Sequence, residues 1–80
     1  MSDDSRLARL RRDIENFLPR AKNHVREYLD ALDYLSKNAR ETDADFLQGC
    51  FAEIQRGEYS NRDVIVRWAQ DLGMKRDVVS

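Results

Sequence analysis

LARLRRDIENFLPRAKNHVREYLDALDYLSKNA, residues 7–39, sets apolar side chains at Leu7, Leu10, Ile14, Leu18, Ala21, Val25, Tyr28, Leu32, Leu35 and Ala39. Every step between them is three or four residues. An α-helix turns once in ~3.6 residues, so these steps stack the side chains along one side of a helical rod. A chain with such a stripe over nearly half its length buries itself helix against helix. The stripe dictates an architecture and carries no chemistry of its own.

Working outward, Pro19 interrupts the pattern. It has no backbone N–H to give and disfavours helical angles at Leu18. The stripe slips phase at the same place, running four residues and then four again from Leu10 to Ile14 to Leu18. The expectation is a break or sharp kink at 17–19, with Pro19 in the first turn of the next helix. Four helices are predicted, at about 6–17, 19–40, 43–56 and 61–72, folded as an all-α antiparallel bundle. Ser5 is a candidate N-cap for the first, with Asp3 and Asp4 beside its positive dipole end. Thr42 with Asp45, and Ser60 with Asp63, read as capping signals for the third and fourth. Gly57 and Gly73 read as left-handed stops. On the third helix Phe46, Leu47, Cys50, Phe51 and Ile54 are expected inward. On the fourth, the inward set is Val64, Ile65, Trp68, Ala69 and Leu72. On the second, Arg26 and Asp30 are spaced for an i,i+4 ion pair.

Eighty residues make one domain at the small end of what folds unaided, here 1–80 with loose ends expected at 1–5 and 74–80. Hydrophobic content of 41% suffices for a core, and 36% charged residues give it a heavily charged exterior. So small a chain leaves part of its stripe for a second copy, and a homodimer through helix two is an expectation. One cysteine excludes a disulfide framework and a multi-cysteine zinc site. The acidic start Met1-Ser2-Asp3-Asp4 has no signal-peptide core. No run approaches the ~20 apolar residues of a membrane span. A cytoplasmic protein is expected.

Charge is unevenly placed. Residues 1–26 carry +3, residues 27–63 carry −5 and residues 64–80 carry +1, for a total of −1. A basic first helix beside an acidic middle suits segments that dock on one another. The acidic middle also offers a face for a basic partner, formed by Glu27, Asp30, Asp33, Tyr34, Glu41, Asp43 and Asp45. A non-enzymatic interaction module (a regulator, adaptor or inhibitor of another protein) is the reading this supports first.

The alternative comes from the C-terminus. The segment Val64 to Ser80 resembles the opening of a helix-turn-helix: Gly73 fits the turn glycine, Ala69 the small residue four positions earlier, and Trp68, Leu72, Met74 and Val79 the apolar positions. That resemblance implies a DNA-binding regulator contacting nucleic acid through Arg67, Lys75 and Arg76. Only five to seven residues would remain for the recognition helix, fewer than base reading requires.

The remaining polar residues have ordinary explanations. Arg6, Arg9, Arg11, Arg12, Arg20, Lys22 and Arg26 spread round the helix, mixed with Asp13 and Glu15, as a solvated face does. His24, the single histidine, lies near the stripe without ligand or dyad partners. Cys50 has no basic neighbour in sequence to favour a thiolate and reads as a small buried hydrophobe. Tyr34 and Tyr59 fall off the stripe and are expected at the surface, as interface anchors. No catalytic, metal or cofactor motif is present in the sequence.

Overall fold

A computed structural model describes residues 5–74. Among them four α-helices follow one another: α1 Arg6–Phe17, α2 Asn23–Asn38, α3 Ala44–Gln55 and α4 Arg62–Asp71. Short 3-10 turns stand at Leu18–Arg20 and Glu41–Asp43, and there is no strand among the described residues. The chain is all-α, as the stripe requires.

Ser5 caps α1, its Oγ accepting the Ala8 N–H at 3.0 Å. Asp3 and Asp4 lie outside the described residues. The break after α1 is real but built differently from the expectation. Leu18 keeps right-handed helical angles (φ −51°, ψ −43°), so Pro19 does not drive its predecessor out of the helix. Instead Pro19 sits early in the 3-10 turn, where its missing N–H is not needed. The chain becomes extended at Ala21 and Lys22, and α2 opens only at Asn23, four residues later than predicted. It also closes early, because Ala39 is extended (φ −87°, ψ 171°).

The other two predicted hydroxyl caps, Thr42 and Ser60, do not form. Thr42 lies within the second 3-10 turn, and α3 starts at Ala44 without a side-chain cap. Asn61, rather than Ser60, precedes α4, and its amide donates to Glu53 Oε1 at 3.0 Å instead of capping. The two glycine stops do form. Gly57 has φ +83° and Gly73 φ +121°. After each, the 6→1 and 5→2 backbone bonds of a Schellman ending close the helix: Glu58 to Glu53 and Gly57 to Ile54, then Met74 to Ala69 and Gly73 to Gln70.

Contacts give the helix directions. Arg6 at the start of α1 meets Asp45 and Gln48 at the start of α3. Phe17 and Phe51, further along each, meet edge to face at 5.7 Å. Hence α1 and α3 run side by side in the same sense. Arg6 bonds Glu41, just past the end of α2, and Arg11, midway along α1, donates to the earlier Ser36 carbonyl at 3.1 Å, so α2 runs the other way. Arg62 pairs with Glu27, and Tyr34 Oη donates to the Leu72 carbonyl, so α4 follows the direction of α2. The order is up, down, up, down.

Helix α2 is central and packs on each of the other three. It buries Val25, Tyr28, Leu29, Ala31, Leu32, Leu35 and Ser36, nearly half its circumference. Its stripe is therefore covered within one chain, which removes the surface on which a homodimer through helix two was expected. Around it stand Leu7, Leu10 and Ile14 of α1, Ala44, Leu47, Cys50, Phe51 and Ile54 of α3, and Ile65, Val66 and Ala69 of α4. Each fully buried leucine or isoleucine contributes roughly 1.5–3 kcal/mol relative to exposure.

The expected inward face of α4 is thus rotated. The anchors at Arg62 and Leu72 fix how α4 sits on α2, turning Ile65, Val66 and Ala69 inward and leaving Val64 and Leu72 outside. Phe46 also lies outside, because Ala44 and Leu47 take the inward positions of the first α3 turn. Tyr59 departs from its surface expectation and packs partly on the core, with His24, exposed, edge to face against it at 5.7 Å. Met74 likewise packs on the core, inside the stretch expected to be loose.

Candidate functional site

The acidic residues singled out by sequence do not gather into one free face; Glu27, Asp33, Glu41 and Asp45 are engaged within the chain, two of them by arginines of neighbouring helices. Glu27 of α2 pairs with Arg62 of α4. Glu41 accepts the Arg6 backbone N–H at 2.6 Å, placing a carboxylate on the positive end of the α1 dipole. Asp45 meets the Arg6 guanidinium at 2.5 Å. The basic first helix and acidic middle therefore do dock on one another. Asp33 is half-buried and bonds Lys37 at 3.2 Å, so among the described residues the i,i+4 pair of α2 is this one and not Arg26 with Asp30. Asp30 stays exposed; desolvation by its surroundings, then Asp33, hold its carboxyl above the usual range, against the opposing pull of Arg26. Asp43 is half-buried at the head of α3 without a capping bond.

Tyr34 is not a free anchor. Its hydroxyl donates to the Leu72 carbonyl at 3.2 Å, and a Cβ placed on Gly73 would lie 2.9 Å from that oxygen. It is a strut between α2 and the end of α4. In the helix-turn-helix segment, Ala69 is buried and Gly73 turns left-handed, as an ordinary Schellman ending also has them. Arg67 is exposed on α4; Lys75, Arg76 and Val79 lie outside the described residues.

Two ionisable side chains, Cys50 and Tyr28, are buried in the core. Cys50 is enclosed, and its thiol is pushed up chiefly by burial, so it stays protonated at neutral pH. Tyr28 Oη is buried without a hydrogen-bond partner among the described residues. The Cys50 sulfur influences its proton affinity but does not meet it in bonding geometry. Burial first, then Cys50, raises the phenol well above its ordinary value. Among the described residues no group of three or more His, Cys, Asp or Glu could hold a metal.

Two surface features stand out among the described residues. A groove of about 520 Å³ runs between α1 and α3 over Phe17 and Phe51, edged by Arg9, Asp13, Gln48 and Arg20. It is wide, mixed in charge and mostly polar. The second feature is apolar. Val64 and Leu72 of α4 are 57% and 46% exposed, and Phe46 of α3 is 46% exposed. Val64, Trp68 and Leu72 recur every fourth residue, one line along α4, and the Phe46 ring lies 6.5 Å from the Trp68 ring. Sequence reasoning found these residues but assigned them inward. Trp68 still packs partly on the core; the exposure of Val64 and Leu72 follows from the rotation of α4, which the Arg62 and Tyr34 anchors fix, and that of Phe46 from the register of α3.

No family model matches the chain, and comparison with curated proteins and with solved structures returns no match. Among the described residues no helix is long and apolar enough to cross a membrane.

Proposed function

We propose that the chain is a small non-enzymatic protein-interaction module whose contact face is the outer side of α4 with Phe46. The observation that carries this is the alignment of Val64, Trp68 and Leu72 beside Phe46: among the described residues Phe46, Val64 and Leu72 are the large apolar side chains left exposed. A contiguous apolar patch rimmed by charge is the mark of an interaction surface, and tryptophan is among the residues that dominate such interfaces. The acidic residues act mainly within the chain, so they serve as rim and steering charge and not as the anchor. A regulatory or inhibitory role acting through binding fits this surface, and a lone buried thiol suits a reducing cytoplasm.

In-cell photo-cross-linking tests the reading. A photoreactive side chain at Val64 or Leu72 should give discrete protein adducts, whereas one at Asp13, in the α1–α3 groove, should give none. Adducts confined to Asp13 would overturn the assignment of the face. Retardation of duplex DNA that fades steeply with salt would replace it with the nucleic-acid reading.

A further inference from the structure

We infer that the outer face of α4 pairs with α4 of a second copy of this chain, antiparallel and about a two-fold axis at the level of Ala69. This rests on the reading of α4 as the contact face and names its occupant.

The argument comes from the charges beside the apolar line. Asp63, Arg67 and Asp71 are all exposed and recur every fourth residue, roughly 100° round the axis from Val64, Trp68 and Leu72. Asp63 is held by Arg62 of its own helix. Among the described residues neither Arg67 nor Asp71 has an ionic partner, although they are four apart on one helix. Arginine placed N-terminal to an acid is the weaker i,i+4 orientation, which leaves both groups available.

A two-fold axis perpendicular to α4 and midway between residues 67 and 71 brings each Arg67 opposite Asp71 of the other copy. The same operation sets Trp68 beside Leu72 of the second copy, offset along the axis by about 3 Å, two residues of helical rise. One operation therefore satisfies the charge row and covers the apolar line, as an isologous interface requires. A parallel pair about an axis running along the helices would carry the two charge rows to opposite flanks of the contact, where Arg67 and Asp71 could not meet. Phe46, beside Trp68 in each copy, widens the contact beyond the single helix.

Sedimentation equilibrium of the full chain from about 5 to about 500 µM is the test, with circular dichroism confirming that each variant is folded. The native chain should dimerise, and Trp68 emission should shift to the blue as it does. Arg67→Asp and Asp71→Arg should each weaken the dimer at least ~10-fold, by opposing like charges twice over the axis. The double variant Arg67→Asp/Asp71→Arg restores both pairs and should recover most of the affinity. A monomer throughout the range overturns the inference, and so does a dimer indifferent to either reversal. If the monomeric chain still gives adducts to another protein from Val64, the second copy is wrong and the contact face stands. If neither dimer nor adduct forms, both fall.

Discussion

Tyr28 places a phenol where its ring is needed and its hydroxyl is not. The ring fills the centre of the bundle from the element that touches every other helix, and the side chain is fully buried. Its hydroxyl has lost water without gaining a hydrogen-bond partner among the described residues, a condition that costs ~1–3 kcal/mol. Tyr28→Phe keeps the ring and removes the unpaired group. It is expected to leave stability unchanged or raise it by about 1 kcal/mol in urea unfolding, where most buried substitutions lower it. A loss of more than about 1 kcal/mol would show that the hydroxyl bonds the Cys50 sulfur after all. Sequence placed Tyr28 on the stripe correctly. The orphaned oxygen was not legible, because it depends on which atoms of α3 arrive beside it.

Helix ends divide into those the sequence specified and those that packing decided. Gly57 and Gly73 were readable because a positive φ is an intrinsic freedom of glycine, largely independent of what lies around it. Thr42 and Ser60 were not, because a hydroxyl cap needs particular angles at the cap and its neighbours. Here the second 3-10 turn and the Asn61 bond to Glu53 impose others. Pro19 marked its break correctly, yet the length of the linker came from the extended Ala21 and Lys22, which carry no strong signal. The α4 ending gives the sharper test. Gly73→Ala imposes a left-handed φ on a residue with a Cβ and drives that carbon toward Tyr34 Oη, 2.9 Å away. The expected cost is about 1–2 kcal/mol in thermal or urea unfolding. In a Tyr34→Phe background part of that cost should vanish, since the obstructing oxygen is gone. A neutral Gly73→Ala would mean that the α4 ending is not closed in this way.

At the scale of the whole molecule, the apolar pattern told which residues could be inside but not how the fourth helix was turned. Leu32 and Leu72 look alike in sequence: each follows an apolar residue at the helical step, Leu29 and Trp68 respectively, and each was read as core. The fold separates them. Leu32 lies on α2, wholly enclosed by the other helices, while Leu72 is nearly half exposed at the outer end of α4. Leu32→Ala opens a cavity in the one element that holds all others, and deletions of this kind cost ~2–5 kcal/mol. Small domains have only ~5–15 kcal/mol to lose, so this variant should melt far lower or fail to fold. Leu72→Ala removes the same atoms from a surface and should change stability by no more than about 0.5 kcal/mol in a dilute, monomeric sample. Unfolding measured at two protein concentrations extends the comparison. The cost of Leu72→Ala should grow as concentration rises if the α4 face closes on a second copy, because association stabilises only the folded chain. The cost of Leu32→Ala arises inside each protomer and should not follow that trend. Equal costs for the two leucines in dilute solution would contradict the rotation of α4, and with it the surface on which the functional proposal stands.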